Sequence, residues 1–307
     1  MYNVLVTGSS GEIGTNLSRA LMRSGHKVTG VDMRKNTWTD EIPTAITDLA
    51  AGTDGIPEGD YQVVVHLAAN AKVHELVEKP ERAFDNIKVN FNVLEYCRQK
   101  KLPIIFSSSR EVYGDIHRYL TGEEESNFHF TESPYSASKI SGEALIYSYA
   151  RCYGLPYIVF RFSNVYGRFD SDIERMERVI PLFIKKMRND ESITVFGKDK
   201  TLDFTYVDDC VSGIQAGVER LLQGSVKNET INLAFGEGHT LVELVQLIGN
   251  NLGKNPNMIV EGSRVGEVTH YIADISKAKK LLGYNPQTSL AQGVEKAIAW
   301  QKEFYRW

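Results

Sequence analysis

The chain has 307 residues, of which 42% are hydrophobic and 24% charged, a composition typical of a globular protein with one large domain or two. The net charge of −4, without a basic block, argues against nucleic-acid binding, and no apolar run approaches the roughly 20 residues of a membrane span. The histidines lack the spacing of metal ligands, which predicts a protein without a metal site. Cys97, Cys152 and Cys210, interpreted as buried packing residues, and the lack of a signal peptide predict a cytoplasmic protein.

The first segment has the pattern of a strand, a glycine-rich turn and an amphipathic helix. The turn reads Gly8-Ser-Ser-Gly11-Glu12-Ile13-Gly14. Gly8 permits a tight bend, Gly11 lets backbone amides approach a pyrophosphate, and Gly14 lets the helix pack close to the strand. The segment therefore predicts the first βα turn of a dinucleotide-binding fold, with Glu12 and Ile13 among the cofactor-binding residues.

The second predicted strand, Lys27-Val-Thr-Gly-Val-Asp32, ends on an acidic side chain. A carboxylate at this point is suited to accept hydrogen bonds from both ribose hydroxyls of an adenosine, and it disfavours a 2′-phosphate. The pattern therefore predicts NAD rather than NADP as the cofactor. Arg34 argues for NADP, although an arginine beside an aspartate is more often a solvated pair.

Two further strands follow at the spacing of an α/β fold. Residues 45–49 form a short strand whose last acidic residue is placed to meet the adenine or to cap the next segment. Residues 61–69 form an apolar run without alternation, which is typical of a central parallel strand buried on both faces. Its small final residues leave room for a cofactor, and a helix follows. The residues of these segments that we predict to bind the cofactor are Asp48, Leu49, Leu67, Ala68, Ala69 and Asn86.

The next strand, residues 103–107, leads into the serine cluster Ser107-Ser108-Ser109. Carboxyl ends of parallel strands lie at one edge of a sheet, and ligands of open α/β sheets bind in the crevice at that edge. We therefore expect the serines to lie beside the glycine-rich turn, with Ser107 among the cofactor-binding residues.

A helix is predicted to begin just before Tyr135, because Ser133 suits the N-cap and Pro134 the first helical position. Lys139 lies one turn later on the same face. Its charge and the positive end of the helix dipole favour a phenolate, so we predict that Tyr135 acts as a base at neutral pH. The segment Tyr96-Cys-Arg-Gln-Lys100 has the same spacing late in another predicted helix and is interpreted as an ordinary surface pair.

Together these segments resemble the extended short-chain dehydrogenase/reductases of the nucleotide-sugar epimerase and dehydratase group. The resemblance covers nearly the whole chain and is greatest to UDP-glucose and UDP-glucuronate 4-epimerases. Besides the glycine-rich turn, the motifs that carry it are His66-Leu-Ala-Ala69, Ser107-Ser-Ser-Arg-Glu-Val-Tyr-Gly114, Pro134-Tyr-Ser-Ala-Ser-Lys139, Arg161-Phe-Ser-Asn164-Val-Tyr-Gly167, Asp203-Phe-Thr-Tyr-Val-Asp-Asp209 and Leu282-Gly-Tyr-Asn-Pro286.

The resemblance and the order of segments imply an α/β protein with two domains. We expect a Rossmann-type doubly wound parallel sheet in an NAD-binding domain, residues 1–166. A smaller C-terminal α/β domain, residues 167–307, is expected to bind the nucleotide sugar, with part of residues 200–235 returning to the first domain. The resemblance also implies NAD as cofactor, a UDP-sugar or another nucleotide sugar as substrate, and a homodimer.

The resemblance further assigns roles to individual side chains. It implies that Tyr135 is the catalytic base, that Lys139 meets the nicotinamide ribose, and that Ser109 shares the reacting oxygen of the sugar. On the substrate side it implies that Asn164 meets the diphosphate, that Phe196 runs past the uracil and that Arg264 binds a phosphate.

The chain departs from the family pattern at several positions. Leu202 stands where the family commonly has an arginine, and Lys198 or Lys200 is the candidate replacement. Val89-Asn90 replaces a Gly-Thr pair of the cofactor-side helix. The charged segment Arg168 to Arg178 is interpreted as a solvated helix or loop over the sugar site.

Glu111 separates the reaction types within the group. Related 4,6-dehydratases have an acidic pair here and UDP-glucuronate decarboxylases a Ser-Glu pair, whereas this chain has Arg110-Glu111. We interpret Glu111 as a partner of Arg110 and the protein as an NAD-dependent 4-epimerase that acts through a transient 4-keto sugar. The alternatives are a dehydratase or decarboxylase that uses Glu111, and a non-catalytic NAD-binding regulator. The regulator is disfavoured because Ser109, Tyr135 and Lys139 are all present.

Tyr271 lies seven residues after Arg264, where epimerases of this group have a residue whose bulk limits the sugar pocket. Two interpretations stay open for it. Either Tyr271 restricts the enzyme to sugars without a 2-acetamido group, or its ring packs between the last segment and the body of the domain.

Overall fold

The computed structural model describes residues 1–115, 120–170 and 176–307, and it has an α/β architecture. Its strands are β1 Asn3–Thr7, β2 Lys27–Asp32, β3 Thr44–Ile46, β4 Val63–His66, β5 Ile104–Ser109, β6 Tyr157–Phe162, β7 Asn164–Tyr166, β8 Ile193–Phe196, β9 Thr201–Tyr206, β10 Glu229–Leu233, β11 Gly238–Thr240, β12 Met258–Glu261 and β13 His270–Tyr271. Its helices are α1 Glu12–Arg23, α2 Val73–Glu78, α3 Glu81–Lys100, α4 Pro134–Tyr153, α5 Val179–Arg188, α6 Val207–Leu222, α7 Leu241–Leu252, α8 Ser276–Leu282 and α9 Leu290–Tyr305.

Seven parallel strands form the main sheet, in the order β10-β6-β5-β4-β1-β2-β3. Side chains alternate between its faces, so that Val4 and Val6 of β1 pack with α1 and α6 on one side while Leu5 packs with α3 and α4 on the other. Strands covered on both faces need apolar residues at successive positions, which explains their unbroken apolar runs. The prediction of a Rossmann-type doubly wound parallel sheet is confirmed.

The second half of the chain adds a smaller layer. Strands β7, β11 and β13 all pair with β9, and β8 pairs with β12. Strand β10 pairs with β6 at the edge of the main sheet, and α6 packs against α1. The division into domains at residue 166 stays a prediction.

Several local expectations need correction. Cys97 and Cys210 are buried as expected, but Cys152 is exposed because it lies on the outer face of α4 near its end. Asp170, expected in a solvated segment, is buried and paired with Arg178. Residues 171–175 of that segment lie outside the described residues. Within the described part of the chain, no helix is both long and apolar enough to cross a membrane.

Candidate active site

A cleft of about 1080 Å³ runs along the carboxyl ends of the central strands, somewhat above the range of roughly 300–1,000 Å³ for small-molecule sites. It is lined by residues from both halves of the chain. The predicted cofactor-binding residues in its wall are Gly8, Gly11, Glu12, Ile13, Gly14, Asp32, Asp48, Leu49, Leu67, Ala68, Ala69, Asn86 and Ser107. The predicted catalytic and substrate-binding residues in its wall are Ser109, Glu111, Tyr135, Lys139, Asn164, Phe196 and Arg264. The roles of all these residues stay predictions.

The glycine-rich turn has the close packing that its sequence predicts. Gly8 adopts a φ of +73°, and its carbonyl accepts a hydrogen bond from the Gly11 amide at 3.1 Å. A Cβ on Gly14 would lie 2.1 Å from the Gly8 oxygen, so only glycine fits there. Gly11 is the N-cap of α1 and has no side chain to accept from the first-turn amides, which therefore suit a phosphate of a dinucleotide.

Asp32 is buried at the end of β2. One of its oxygens accepts from the Ser10 amide and the other from the Arg34 amide, both at 3.0 Å. These bonds fix the carboxylate in the cleft wall, where it suits the ribose hydroxyls of a dinucleotide. Asp48 both lines the cleft and caps the following turn, because its Oδ1 accepts from the Ala50 amide at 2.9 Å.

The side-chain amides of two asparagines on the cofactor-side helix α3 form hydrogen bonds with the end of β4 and the loop after it. Asn86 accepts from the Asn70 amide at 2.7 Å, donates to the Asn70 carbonyl at 3.0 Å, and thereby holds the loop after β4. The departure from the family pattern at residues 89–90 has a structural reason. Val89 lines the cleft, while the Asn90 side chain forms a 2.9 Å hydrogen bond with Nε2 of buried His66.

Helix α4 begins at Pro134 as predicted, with Ser133 Oγ accepting from the Ser136 amide at 3.1 Å. Tyr135 therefore lies in the first turn and faces the cleft. The Lys139 ammonium donates to the Ser107 carbonyl at 2.7 Å and lies 5.8 Å from the centre of the Tyr135 ring. Helix α4 thus brings Tyr135 and Lys139 to the end of the serine strand.

The electrostatics of Tyr135 differ from the expectation. Burial raises the pKa of Tyr135 to about 12, and the charge of Glu111 also raises it, whereas a hydrogen bond with Ser109 and the charges of Arg178 and Arg110 lower it. Burial also lowers the pKa of Lys139 to about 8. The cost of burying the phenolate therefore exceeds the effects that lower the pKa of Tyr135, and its role as a base stays a prediction.

Glu111 is held by its neighbour, in agreement with the interpretation as an ion pair. Arg110 Nη2 lies 2.9 Å from Glu111 Oε1 and also donates to Asn164 Oδ1 at 3.3 Å. The Glu111 amide donates to Ser109 Oγ at 3.2 Å, which orients the predicted catalytic hydroxyl. Burial raises the pKa of Glu111, and the charge of Arg110 opposes this effect.

The substrate side of the cleft contains an arginine over an aromatic ring. The Arg264 guanidinium lies 3.9 Å from the centre of the Phe196 ring, and both side chains line the cleft. Of the two candidate replacements for the arginine at position 202, Lys198 is exposed, whereas Lys200 is buried in the cleft wall and donates to Glu267 at 2.6 Å.

Tyr271 does not line the cleft. Its side chain is only 1% exposed and stacks on Tyr113 with the ring centres 5.7 Å apart, in a core with Val268, Ala273 and Ile275. These contacts favour the packing interpretation of Tyr271, and the hypothesis that Tyr271 limits the sugar pocket stays a prediction.

The pair of Tyr96 and Lys100, which has the same spacing as Tyr135 and Lys139, lies away from the cleft. Tyr96 packs on the core behind the sheet, and Lys100 is exposed at the end of α3, so this pair does not take part in the cleft.

Sequence reasoning missed the cluster of Glu12, Asp170 and Arg178 in the cleft wall. Glu12 and Arg178 are 166 positions apart, so no local pattern signals their ion pair.

Known proteins are similar to this chain in sequence and in fold. The model of the NAD dependent epimerase/dehydratase family matches residues 4–234. The putative UDP-glucose 4-epimerase of Methanocaldococcus jannaschii is 33% identical over 97% of this chain and 98% of its own length. The UDP-glucose 4-epimerase of Thermotoga maritima, solved with UDP-glucose, superimposes with a TM-score of 0.89 at 29% identity and 99% coverage of both chains. The UDP-glucuronic acid 4-epimerase of Bacillus cereus, solved with UDP-glucuronic acid and NAD, has a TM-score of 0.86 at 30% identity, covering 99% of this chain and 100% of its own.

Proposed function

Because the chain belongs to the NAD-dependent epimerase/dehydratase family, as an extended short-chain dehydrogenase/reductase of the nucleotide-sugar epimerase type, we propose that it is an NAD-dependent 4-epimerase of UDP-sugars. The observation that carries the proposal is the meeting of Ser109, Tyr135 and Lys139 in a cleft that also holds the glycine-rich turn. A dinucleotide and a sugar nucleotide would share this cleft.

The residues of the first half suit NAD. The amides at the start of α1 would meet the pyrophosphate, and Asp32 would accept from the adenosine ribose. Lys139 would donate to the nicotinamide ribose. When bound, NAD supplies the acceptor and donor of the hydride, so that the reaction has no net oxidation.

The side chains of the cleft would then handle the proton of the sugar C4 hydroxyl. Ser109 Oγ, held by the Glu111 amide, would bind this oxygen beside the Tyr135 phenol. In its ionised form, as the phenolate, Tyr135 would take the proton as the 4-keto sugar forms and return it after the sugar has turned over. The charges of Arg178 and Arg110 support this role, because they lower the pKa of Tyr135 against the effect of burial.

The second half would bind the UDP part of the substrate. Arg264 is the cation placed for a phosphate, with Phe196 beneath it. Asn164, fixed by its bond to the Asp203 carbonyl at 2.9 Å, would contact the diphosphate. Lys200, in the cleft wall, is the cation that would compensate for Leu202.

Domain division and assembly are part of the same proposal. Residues 1–166 would bind NAD and residues 167–307 the nucleotide sugar. A homodimer would form through helices that include α4, and Phe84 and Phe91 of the neighbouring α3 are large exposed apolar residues of the kind that such an interface buries.

The test is to incubate the purified protein with a panel of UDP-sugars and to identify the products by NMR and mass spectrometry. We expect a C4 epimer of unchanged mass. A 4-keto-6-deoxy sugar would indicate a dehydratase and carbon dioxide a decarboxylase, and in either case Glu111→Gln would abolish the activity. NAD binding without conversion of any nucleotide sugar would instead indicate a regulator.

A further inference from the structure

The last residues of β5 project beyond the neighbouring strand β4. Strand β4 pairs with β5 only as far as Phe106, whereas β6 pairs with β5 up to Ser109. Among the described strands, Ser107, Ser108 and Ser109 are therefore paired along one edge only. Because Ser109 is the predicted catalytic hydroxyl, its position depends on contacts that reach this strand end from outside the sheet.

Helix α4 makes two such contacts with side chains that lie one turn apart. Lys139 Nζ donates to the Ser107 carbonyl at 2.7 Å, and Ser108 Oγ donates to Glu143 Oε1 at 2.5 Å. The same helix carries Tyr135 in its first turn. The two contacts therefore fix the end of the serine strand relative to Tyr135.

The Glu143 carboxylate is itself held from several sides. Arg161 donates to it twice, from Nε to Oε1 at 2.9 Å and from Nη2 to Oε2 at 2.7 Å. The side chains of Arg161 and Glu143 are only 4% and 6% exposed. Tyr147, one turn further along α4, donates to Oε2 at 3.0 Å. Arg161 lies on β6 directly beside Ser108, so a helix and two strands meet at one buried carboxylate.

The charge of Glu143 also acts on Lys139. Burial lowers the pKa of Lys139 to about 8, and the charge of Glu143 opposes this effect. Glu143 thus supports the ammonium that donates to the Ser107 carbonyl, while it accepts a hydrogen bond from the next residue of the strand. Neither Glu143 nor Ser108 handles the proton in the reaction proposed above, so any effect of theirs on turnover is indirect.

We propose that Ser108 and Glu143 are positioning residues, whose hydrogen bond holds the projecting end of β5 against α4 and thereby keeps Ser109 beside Tyr135. The proposal rests on the 4-epimerase function proposed above. In that reaction Ser109 and Tyr135 bind the same oxygen of the sugar, although they come from different elements of the fold. A displacement of about 1 Å in an active site can lower a rate by about 10²-fold, so a small shift of the strand end would be costly.

Two hydroxyl groups that donate to the same carboxylate provide a matched pair of variants. Ser108→Ala removes the donor on β5, and Tyr147→Phe removes the donor on α4, while Arg161 still pairs with Glu143 in both. Tyr147 also forms a 2.7 Å hydrogen bond with Thr230, so Tyr147→Phe loses at least as many contacts as Ser108→Ala. We therefore expect thermal unfolding to show a similar fall in Tm for the two variants.

Their effects on turnover should differ. Ser108→Ala should lower kcat about tenfold or more, for the UDP-sugar that the wild type converts fastest, while the dissociation constant of UDP changes less than about twofold. Tyr147 lies about three turns along α4 from Tyr135, so Tyr147→Phe should change kcat less than about twofold. Steady-state kinetics and UDP titration measure both quantities.

Hydrogen exchange, followed by NMR on the purified protein, measures the strand end without turnover. The Glu111 amide donates to Ser109 Oγ at 3.2 Å, so its exchange rate reports how firmly Ser109 is held. Ser108→Ala should raise this rate about tenfold, and Tyr147→Phe should leave it within about twofold.

Equal losses of kcat and equal exchange rates in the two variants would overturn the proposal, because the network would then act through stability alone. An unchanged kcat in Ser108→Ala, or a lower kcat without faster exchange at Glu111, would also overturn it. If the wild type converts no UDP-sugar, the 4-epimerase proposal fails, while the exchange rates still decide whether Ser108 holds the end of β5.

Discussion

At the scale of single residues, opposing effects on one phenol decide whether the cleft can do acid–base chemistry. Burial raises the pKa of Tyr135 from its ordinary value near ~10 to about 12, which corresponds to roughly 3 kcal/mol against the phenolate. Ser109, Arg178 and Arg110 act in the other direction. The pKa of about 12 already includes these opposing effects, so burial outweighs them and the phenol rarely ionises at neutral pH.

We expect Tyr135→Phe and Ser109→Ala to lower kcat by about 10²-fold or more while the dissociation constant of UDP changes little, because both act on the transferred proton. Steady-state kinetics and UDP titration measure the two effects. Tyr96→Phe is the control, since Tyr96 packs on the core away from the cleft. Equal damage by Tyr96→Phe would refute the choice of Tyr135.

Asp32 should decide the cofactor. Its carboxylate accepts hydrogen bonds from two backbone amides and is suited to accept two more from ribose hydroxyls. Because a 2′-phosphate would be repelled, the purified protein should bind NAD more tightly than NADP. In Asp32→Asn an NH2 group replaces one acceptor oxygen. The dissociation constant of NAD should therefore rise by about tenfold or more, and the preference for NAD over NADP should become smaller. Titrations with both dinucleotides measure this. Tighter binding of NADP by the wild type would shift the assignment to Arg34.

The buried ammonium of Lys139 should lower the free energy of unfolding at neutral pH. Burial lowers its pKa from 10.5 to about 8, so the folded state disfavours the ammonium, and this cost is present in full below pH 8 and fades as the pH rises toward 10.5. Lys139→Met should therefore raise Tm at pH 7 by a few degrees and raise it less at pH 10, while it abolishes activity. Thermal unfolding of nucleotide-free protein at both values tests the sign. The exposed Lys100→Met serves as control, and a lower Tm of Lys139→Met at pH 7 would show that the buried ammonium is stabilising.

At the scale of elements, one helix links the sheet to the chemistry. Three side chains of α4 follow one another at intervals of one turn. Tyr135 faces the cleft, and Lys139 donates to the Ser107 carbonyl. Glu143 binds the side chains of Ser108 and Arg161. The start of α4 and the pair of Tyr135 and Lys139 were predictable, because capping and i,i+4 spacing are local. The partners of Glu143 lie on two strands and leave no local signal in the sequence.

The glycine-rich turn offers a matched pair of variants at this scale. A Cβ at Gly14 would lie 2.1 Å from the Gly8 oxygen, whereas one at Gly11 would lie 3.4 Å from it. Gly14→Ala must push α1 from the strand and should lower both Tm and NAD affinity, with a loss of roughly 1–3 kcal/mol in stability. Gly11→Ala should keep Tm and weaken only NAD, because its methyl group would occupy the approach of the phosphate. Unfolding and NAD titration of both variants test this, and an unchanged Gly14→Ala would contradict the packing.

At the scale of the whole molecule, the cleft is lined by segments that are far apart in the sequence. The strand ends of the main sheet were predictable, because buried parallel strands have a recognisable apolar run and their carboxyl ends share one edge. The burial of Asp170 was not, because it depends on contacts between distant segments. A charged residue in a polar stretch is ordinarily solvated, and only the assembled fold shows that Asp170 is enclosed.

An aromatic cluster connects the C-terminal helix to this enclosed region. Phe169, next to Asp170, adopts a φ of +64°, which is strained for a residue with a side chain. Its ring lies 5.6 Å from that of Trp300 on α9 and 6.0 Å from that of Trp38, which follows β2. The cluster therefore holds the strained residue in place from two other parts of the fold.

Trp300→Ala should lower both stability and turnover. Loss of the ring removes roughly 1–3 kcal/mol of packing and releases Phe169, so that Asp170 no longer holds Arg178 near Tyr135. Turnover should fall about tenfold. The midpoint of its pH profile should move to higher pH, because the charge of Arg178, which lowers the pKa of Tyr135, would then act more weakly. Trp307→Ala is the control: this ring is also half-buried near the end of the chain but lies under Arg188 and Lys302, so it should lower Tm without a shift in the pH profile. If the two variants give the same pH profile, the aromatic cluster does not act on the position of Arg178.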